Sequence, residues 1–288
     1  MTATASGQYR SATYRRDARQ VVSVVTPSYN QTAYLPATLE SVLSQQGDFH
    51  LDHVVLDGAS DDGSVEILRE FEDGLRRGSN RPKCAGFQFR WLSRPDGGQS
   101  EAINKGFRIA EGGVLCWLNS DDLYADGAAV SRVAAFFDAN PAAGFLYGRA
   151  YEINAEGASC GTHRVVIEYG IEDLLEIDYI IQPASFWRRE VFDRVGPLNE
   201  SMCFAFDWEY WMRVSEEYEF HFLNEFLACN RLYPENKSLS GGDARRKEIA
   251  QLLIDRGKLT DRSINAYLCS SQNMNVIKKG NPLVRGFL

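Results

Sequence analysis

Apolar and polar positions follow two alternating periods along the first half of the chain. Val21 to Pro27, "VVSVVTP", is a nearly unbroken β-branched run, the pattern of a strand buried on both faces. "TAYLPATLESVLSQQ" then returns its apolar residues at helical spacing. The unit recurs. "LDHVVLDGAS" predicts a strand ending at Asp57, and "DGSVEILREFEDGL" a helix opened by acidic and Ser capping residues. "FQFRWLSRP" predicts a strand, "GQSEAINKGFRIAEG" a helix closed by Gly112, and "GVLCWLNS" a further strand. Strands alternating with helices predict an α/β fold with a Rossmann-like, mostly parallel central sheet and helices on both faces.

After about residue 145 the alternation fades. "GFLYGRAYEINAEGAS" predicts a hairpin, and "IEDLLEIDYIIQPASFWRREVFDRVG" a short helix, a strand and another helix. "FDWEYWMRVSEEY" predicts a helix starting near Asp207, "FHFLNEFLACNRLY" a strand pair, and "DARRKEIAQLLIDRGK" a terminal amphipathic helix.

In open parallel sheets ligands bind beyond the carboxyl ends of the strands. "PSYN" (residues 27–30), "DGASDDGS" (57–64) and "NSDD" (119–122) each follow such an end, so they are expected to line one crevice. Two adjacent carboxylates, Asp121 and Asp122, resist ionising together in a dry site unless a cation compensates. Their hard oxygens suit Mg²⁺ or Mn²⁺, which take one or two carboxylates and complete their shell with water and substrate phosphates. An isolated "SDD" reads more readily as a turn cap; its place beside two other strand-end motifs favours the ligand reading. Asp57 is suited to accept an N–H from a nucleobase or a hydroxyl from a ribose, or to serve the turn "DGAS". Gly97 and Gly98 precede a helix, where backbone N–H groups attract anions. Neither a Walker loop nor GxGxxG is present. Asp207, in the aromatic segment "FAFDWEYWMR", is a general-base candidate or an ordinary N-cap, and Trp208 and Trp211 read as core or as a platform for a sugar ring.

With 288 residues, 44% hydrophobic and 24% charged, the chain has the composition of a globular protein whose core needs no staple. Its six cysteines are scattered without a CxxC pair, which favours a reducing compartment. The opening segment is polar and no apolar run approaches the roughly 20 residues of a bilayer span, so a cytoplasmic protein is expected. The net charge of −8 argues against non-specific nucleic-acid binding. It is unevenly spread: residues 1–20 hold four Arg against one Asp, and residues 241–288 nine Lys or Arg against four acids. Basic ends read first as solvated tails, and also suit peripheral contact with the anionic inner face of a membrane.

Taken in order, "VVSVVTPSYNQTAYLPATLESVLSQ", "HVVLDGASDDGSVEIL", "GQSEAINKGFRIAEGGVLCWLNSDDLY" and "QPASFWRREVFDRVGPLNESMCFAFDWEYWMR" resemble the successive blocks of the family 2 glycosyltransferases, inverting nucleotide-sugar enzymes of the GT-A fold. The resemblance covers roughly residues 21–240. It implies a flexible basic tail (1–20), a nucleotide-sugar-binding half (21–145), a smaller acceptor-binding half (146–240) and a C-terminal helical extension (241–288). It further implies that Pro27 and Tyr29 contact the base, that Asp57 recognises it, and that Asp96 and Gln99 approach the nucleotide. "NSDD" looks like the family's DxD motif, with Ser120, Asp121 and Asp122 at the ribose, the diphosphate and an Mn²⁺ or Mg²⁺ cofactor; whether Asp121 or Asp122 is the main ligand stays open. Asp207 matches the catalytic base. Asn119 stands where the family often has Asp, and Tyr233 where many relatives carry a His.

The implied partners are a nucleotide-sugar donor, most often uridine-based, and a glycan or lipid-linked glycan acceptor, as in cell-surface polysaccharide assembly. A sugar nucleotidyltransferase would be expected to carry a Gly-rich basic loop after the first strand, and "TPSYNQTAY" has no Gly, Lys or Arg. An inactive nucleotide-sugar-binding module would not need Asp57, Asp121, Asp122 and Asp207 together.

Overall fold

The computed structural model describes residues 4–18, 20–162 and 170–268. Its first half is built from β1 (Ala5–Arg10), β2 (Val21–Ser28), α1 (Leu35–Leu43), β3 (Gln46–Asp57), α2 (Ser64–Arg77), β4 (Lys83–Ser93), α3 (Gln99–Ile109), β5 (Val114–Trp117), β6 (Leu123–Tyr124) and α4 (Ala129–Ala139). β2 is buried along its whole length, as its β-branched run predicts. Alternate residues serve opposite faces. Val22 and Val24 pack in a core with Leu39 of α1, Leu68 of α2 and Val133 of α4, whereas Val25 packs with Phe107 of α3 on the other side. Gly106 lets α3 approach closely: a Cβ there would lie 2.3 Å from Val25 Cγ1.

The second half contains β7 (Phe145–Ile153), β8 (Ser159–Thr162), α5 (Ile171–Leu174), β9 (Ser185–Arg188), α6 (Arg189–Val195), α7 (Phe206–Ser215), β10 (Phe220–Arg231), α8 (Lys237–Ser240) and α9 (Gly242–Asp255). All strands join one sheet in the order β1-β4-β3-β2-β5-β9-β7-β10-β6, with β8 on β7. β4, β3, β2 and β5 are parallel neighbours; β9 runs antiparallel to β5 and to β7, and β10 parallel to β7. The sheet is therefore mixed, with a parallel nucleus and antiparallel pairings around it. Because β9 is reversed, the 3₁₀ turn Gln182–Ala184 before it reaches the edge where β2 to β5 end, and β10 ends there too.

Two expectations are revised. Residues 1–20 are not all tail: Ala5–Arg10 pairs antiparallel with β4, from Ala5 opposite Ser93 to Arg10 opposite Gln88. Main-chain bonds to an otherwise open edge hold this strand, so its polar sequence gives little hint of it. The expected strand pair at 220–233 is instead the single strand β10, whose register shifts between Phe222 and Ala228. Exposed Asn224 and Glu225 sit in that irregularity and imitate a turn signal. Residues 269–288 of the expected C-terminal extension, with their basic groups, lie outside the described residues, as does part of the 1–20 segment. Among the described residues no helix is long and apolar enough to cross a membrane, and the cysteines described as free are Cys84, Cys116, Cys160, Cys203 and Cys229.

Candidate active site

A cavity of about 800 Å³ opens at the carboxyl edge of the parallel strands. Of the residues expected to form the site, Pro27, Tyr29, Asp96, Gln99, Ser120, Asp121, Asp122 and Asp207 all line it. Tyr29 is 64% exposed, a large aromatic face with no core role. Gly58 sits between its ring and Asp96; a Cβ on Gly58 would come 3.2 Å from Tyr29 Cδ2 and 3.4 Å from Asp96 Oδ2. A slot between the ring and a carboxylate is thus kept clear.

Asp57 lies just beneath that wall, 1% exposed. Its Oδ2 accepts from the Ser60 N–H (2.9 Å) and Ser93 Oγ (2.6 Å), and its Oδ1 from Ser60 Oγ (2.5 Å). It ties the ends of β3 and β4 to the loop that carries Gly58. The two glycine N–H groups before α3 are likewise engaged internally, that of Gly98 by Asp96 Oδ1 at 2.9 Å and that of Gly97 by Glu101. Those donors are already engaged by the chain's own carboxylates.

The two adjacent acids have different surroundings. Asp122, 3% exposed, accepts the Arg231 N–H at 2.9 Å on Oδ1 and Asn119 Nδ2 at 3.2 Å on Oδ2. Thr38 Oγ1 bridges the carbonyls of Ser120 and Asp122 at 2.9 Å each, fixing the turn. Asp121 accepts one side-chain bond, from the Tyr233 hydroxyl to Oδ2 at 2.8 Å, so its Oδ1 is left for the cavity among the described residues. Burial raises the pKa of both, and that of Asp122 further because Asp121 adds like charge. Asn119 is the hub of this turn: its Nδ2 also donates to Gln182 Oε1 at 3.1 Å, and its Oδ1 accepts from Gln99 Nε2 at 2.8 Å. Gln99 in turn accepts from Lys237 Nζ at 2.9 Å. An aspartate at 119 would lose the donors that Asp122 and Gln182 use.

Asp207 approaches from the opposite wall. It is the second residue of α7, so the N-cap is Ala205 rather than Asp207; its Oδ1 accepts the Trp208 N–H at 2.8 Å. Burial raises its pKa, opposed by that N–H and by the charges of Arg245 and Lys237. Trp208 and Trp211 are at most 1% exposed and belong to the core, where Trp211 stacks on Trp117 at 5.5 Å. They hold α7 in place and offer no face to a ligand.

Several cavity-side residues carry no motif of their own. Lys237, at the start of α8, lies over the rings of Phe204 and Phe206 at 5.9 and 5.3 Å, with no carboxylate within ion-pair distance among the described residues. Buried Arg231 donates to the carbonyls of Asp121, Asn154 and Ala155 and stacks over Tyr34. Behind the cavity lining, Asp178 has a buried Oδ1 with no hydrogen-bond partner among the described residues, and its pKa is pushed well up by burial and then by the charge of Asp207. Only Asn236, a helix-capping residue whose Oδ1 accepts the Leu239 N–H at 2.8 Å, marks this segment in the sequence.

The glycosyl transferase family 2 domain matches residues 23–196. A PGL/p-HBAD biosynthesis glycosyltransferase of Mycobacterium bovis is 29% identical over 201 residues, covering 68% of this chain and 70% of the relative. Among solved structures, S. aureus TarS 1-349 in complex with UDP-GlcNAc superposes with a TM-score of 0.64 at 17% identity, covering 92% of this chain and 77% of that one. Mannosyltransferase PcManGT from Pyrobaculum calidifontis, in complex with GDP-Man and Mn²⁺, gives 0.61 at 17% identity over 88% of this chain and 69% of that one. Both likenesses are of fold, and the fold is that of the GT-A enzymes. With a domain match spanning more than half of its length, the chain belongs to glycosyl transferase family 2.

Proposed function

We propose that the protein is an inverting glycosyltransferase that moves a sugar from a nucleoside-diphosphate sugar, UDP-based, to an acceptor hydroxyl. The observation that carries this reading is the single cavity in which the strand-end residues Tyr29, Asp96 and Asp121 meet Asp207 from the opposite wall. Tyr29 and Pro27 take the base, with Asp57 acting through the Ser60 and Ser93 bonds that shape the loop beside it. Asp96, Gln99 and Ser120 line the path of ribose and diphosphate.

The donor set fits a divalent ion of one particular kind. No group of three His, Cys, Asp or Glu that could cage a metal occurs among the described residues. Mg²⁺ and Mn²⁺ do not need one, since a carboxylate or two plus substrate phosphates and water complete their shell. Asp121, through Oδ1, is the residue proposed to hold the ion; Asp122 supports it by fixing the turn. Bound there, the ion would neutralise charge on the diphosphate.

Asp207 removes the acceptor's hydroxyl proton. That oxygen attacks the anomeric carbon as the bond to the diphosphate breaks on the opposite face, which inverts the centre. Lys237, without a carboxylate partner among the described residues and already at Gln99, is suited to meet the departing diphosphate. The acceptor in this reading is a glycan or lipid-linked glycan; the mycobacterial relatives are named for PGL/p-HBAD biosynthesis.

Calorimetry with UDP, GDP, UDP-GlcNAc and GDP-Man, each with Mn²⁺ and with EDTA, tests the reading. UDP compounds should bind at least tenfold more tightly with Mn²⁺. Equal affinity in EDTA would remove the metal, and absence of nucleotide binding would remove the donor assignment.

A further inference from the structure

The segment before Asp207 is held by a residue 41 positions later in the chain. The N–H groups of Cys203, Phe204 and Ala205 all donate to the Glu248 carboxylate, at 2.7 Å to Oε2 and at 2.6 and 2.7 Å to Oε1. Three consecutive main-chain donors converging on one carboxylate form an anion nest, filled here by the protein itself. Ala205, the N-cap of α7, has no polar side chain, and its own N–H, one of the free donors of the helix end, is met by Glu248.

Glu248 lies on α9, and α9 is fixed independently. Ile249, Leu252 and Leu253 are buried in the same core as Trp208 and Trp211 of α7. Gly241, next to α9, backs against the Phe204 ring so closely that a Cβ would lie 2.7 Å from its Cε1. Arg245, one turn before Glu248, is the cation whose charge acts on both Asp207 and Asp178. Thus α9 grips the approach to α7 through Glu248 and bears on its carboxylate through Arg245.

We infer that Glu248 is a positioning residue for transfer, setting the height of Asp207 against the acceptor, and that α9 is part of the active site rather than an appendage. The inference rests on Asp207 being the base. One residue, Phe206, separates the clamped Ala205 from Asp207, so releasing the nest frees the first turn of α7 to shift. Misplacement of a catalytic group by about 1 Å can cost about 10²-fold in rate. Tyr29, Asp96 and Asp121 stand on elements outside this grip, so binding of UDP is expected to survive its release.

The test uses the full chain and its Glu248→Gln and Glu248→Asp variants, with Asp207→Asn alongside. Amide hydrogen exchange at residues 203–205 reads the clamp directly. Hydrolysis of UDP-GlcNAc and GDP-Man, water serving as acceptor, reads the chemistry, and calorimetry with UDP and Mn²⁺ reads the donor site. In E248Q, exchange should rise at least tenfold and hydrolysis should fall about 10- to 100-fold, with UDP affinity within about twofold of wild type. E248D keeps the charge but retracts it by one methylene, and should fall between the two, which covers the case of E248Q failing to fold.

Unchanged exchange at 203–205 would overturn the clamp. Raised exchange with an unchanged hydrolysis rate would overturn the positioning role and leave Glu248 as a cap. Wild-type hydrolysis in D207N would instead overturn the base assignment, and failure of the wild-type chain to bind UDP or cleave either donor would overturn the donor reading while the exchange result still decides the clamp.

Discussion

The two walls of the cavity are built in different ways. The strand-end wall hangs from β2, β3, β4 and β5, four parallel neighbours whose loops emerge side by side, and much of its polar structure is tied between neighbouring strand ends, as Asp57 is to Ser60 and Ser93. The opposite wall gathers a 3₁₀ turn, the start of α7, the end of β10 and α8, distant in sequence and held by long-range contacts such as Glu248 to residues 203–205. Substrate selection by rigid strand ends and chemistry by an adjustable wall is the division this predicts. A donor must be held in one pose, whereas acceptors differ and are served by the less regular half.

The largest effect should come from separating the walls at Asp207. Asp207→Asn should leave UDP affinity intact and lower turnover by roughly 10²- to 10⁴-fold, the contribution of a general base. A loss of UDP binding of similar size would erase the division. The base must be ionised to act, and burial raises its pKa, so the acid limb of the wild-type rate profile should lie above the ordinary carboxylate range of about 3.9. A limb at or below that value would show that Asp207 is not the titrating group.

On the donor wall, Asp121→Asn and Asp122→Asn should part company. Asp121→Asn should abolish most of the Mn²⁺ enhancement of UDP binding, about tenfold or more, because Oδ1 is the oxygen left for the ion. Asp122→Asn should keep the enhancement and lower the melting temperature, since Oδ1 and Oδ2 serve Arg231 and Asn119. Calorimetry and thermal melts on the two variants decide it; loss of metal enhancement in Asp122→Asn alone would reverse the assignment.

This contrast marks what a one-dimensional reading reaches. The strand-end wall was legible because β-branched runs, helix caps and polar loops at strand ends follow one another locally. The pair at 121–122 was visible, but its division of labour was not: it depends on Arg231, Tyr233 and Asn119, over a hundred residues apart at the extremes. Glu248, Lys237 and Asp178 were invisible for the same reason. Each looks like an ordinary charged residue until the chain folds back, and β1 escaped because an edge strand needs main-chain partners more than apolar side chains.

Asn119→Asp would restore an acid to the first place of the motif and so sharpens the reading of the turn. It should not create a better metal site. The new carboxylate would face Asp122 and Gln182 Oε1 without a donor, costing roughly 1–3 kcal/mol for the buried groups left unpaired. Denaturant melts of the variant measure this, and a tighter Mn²⁺-dependent UDP affinity with unchanged stability would refute it.

The smallest effect belongs to Asp178, and it distinguishes the adjustable wall from an ordinary core. Its Oδ1 is buried without a partner among the described residues, and burial and the nearby Asp207 charge hold its pKa well above the usual value. A carboxyl whose folded pKa exceeds its unfolded value of about 3.9 contributes its full share of stability below that pH and loses it as pH rises through the folded pKa. Asn has nearly the same shape and does not titrate, so Asp178→Asn removes this loss. The variant should match wild type near pH 4 and melt higher at pH 8, by on the order of 2–4 °C, the shift that about 1 kcal/mol produces in a large domain. A gain that is equal at both pH values would mean that packing, not ionisation, is what changed. A loss at pH 8 would mean that the charge of Asp178 is used in the folded state, and the base-side wall would then hold two working carboxylates instead of one.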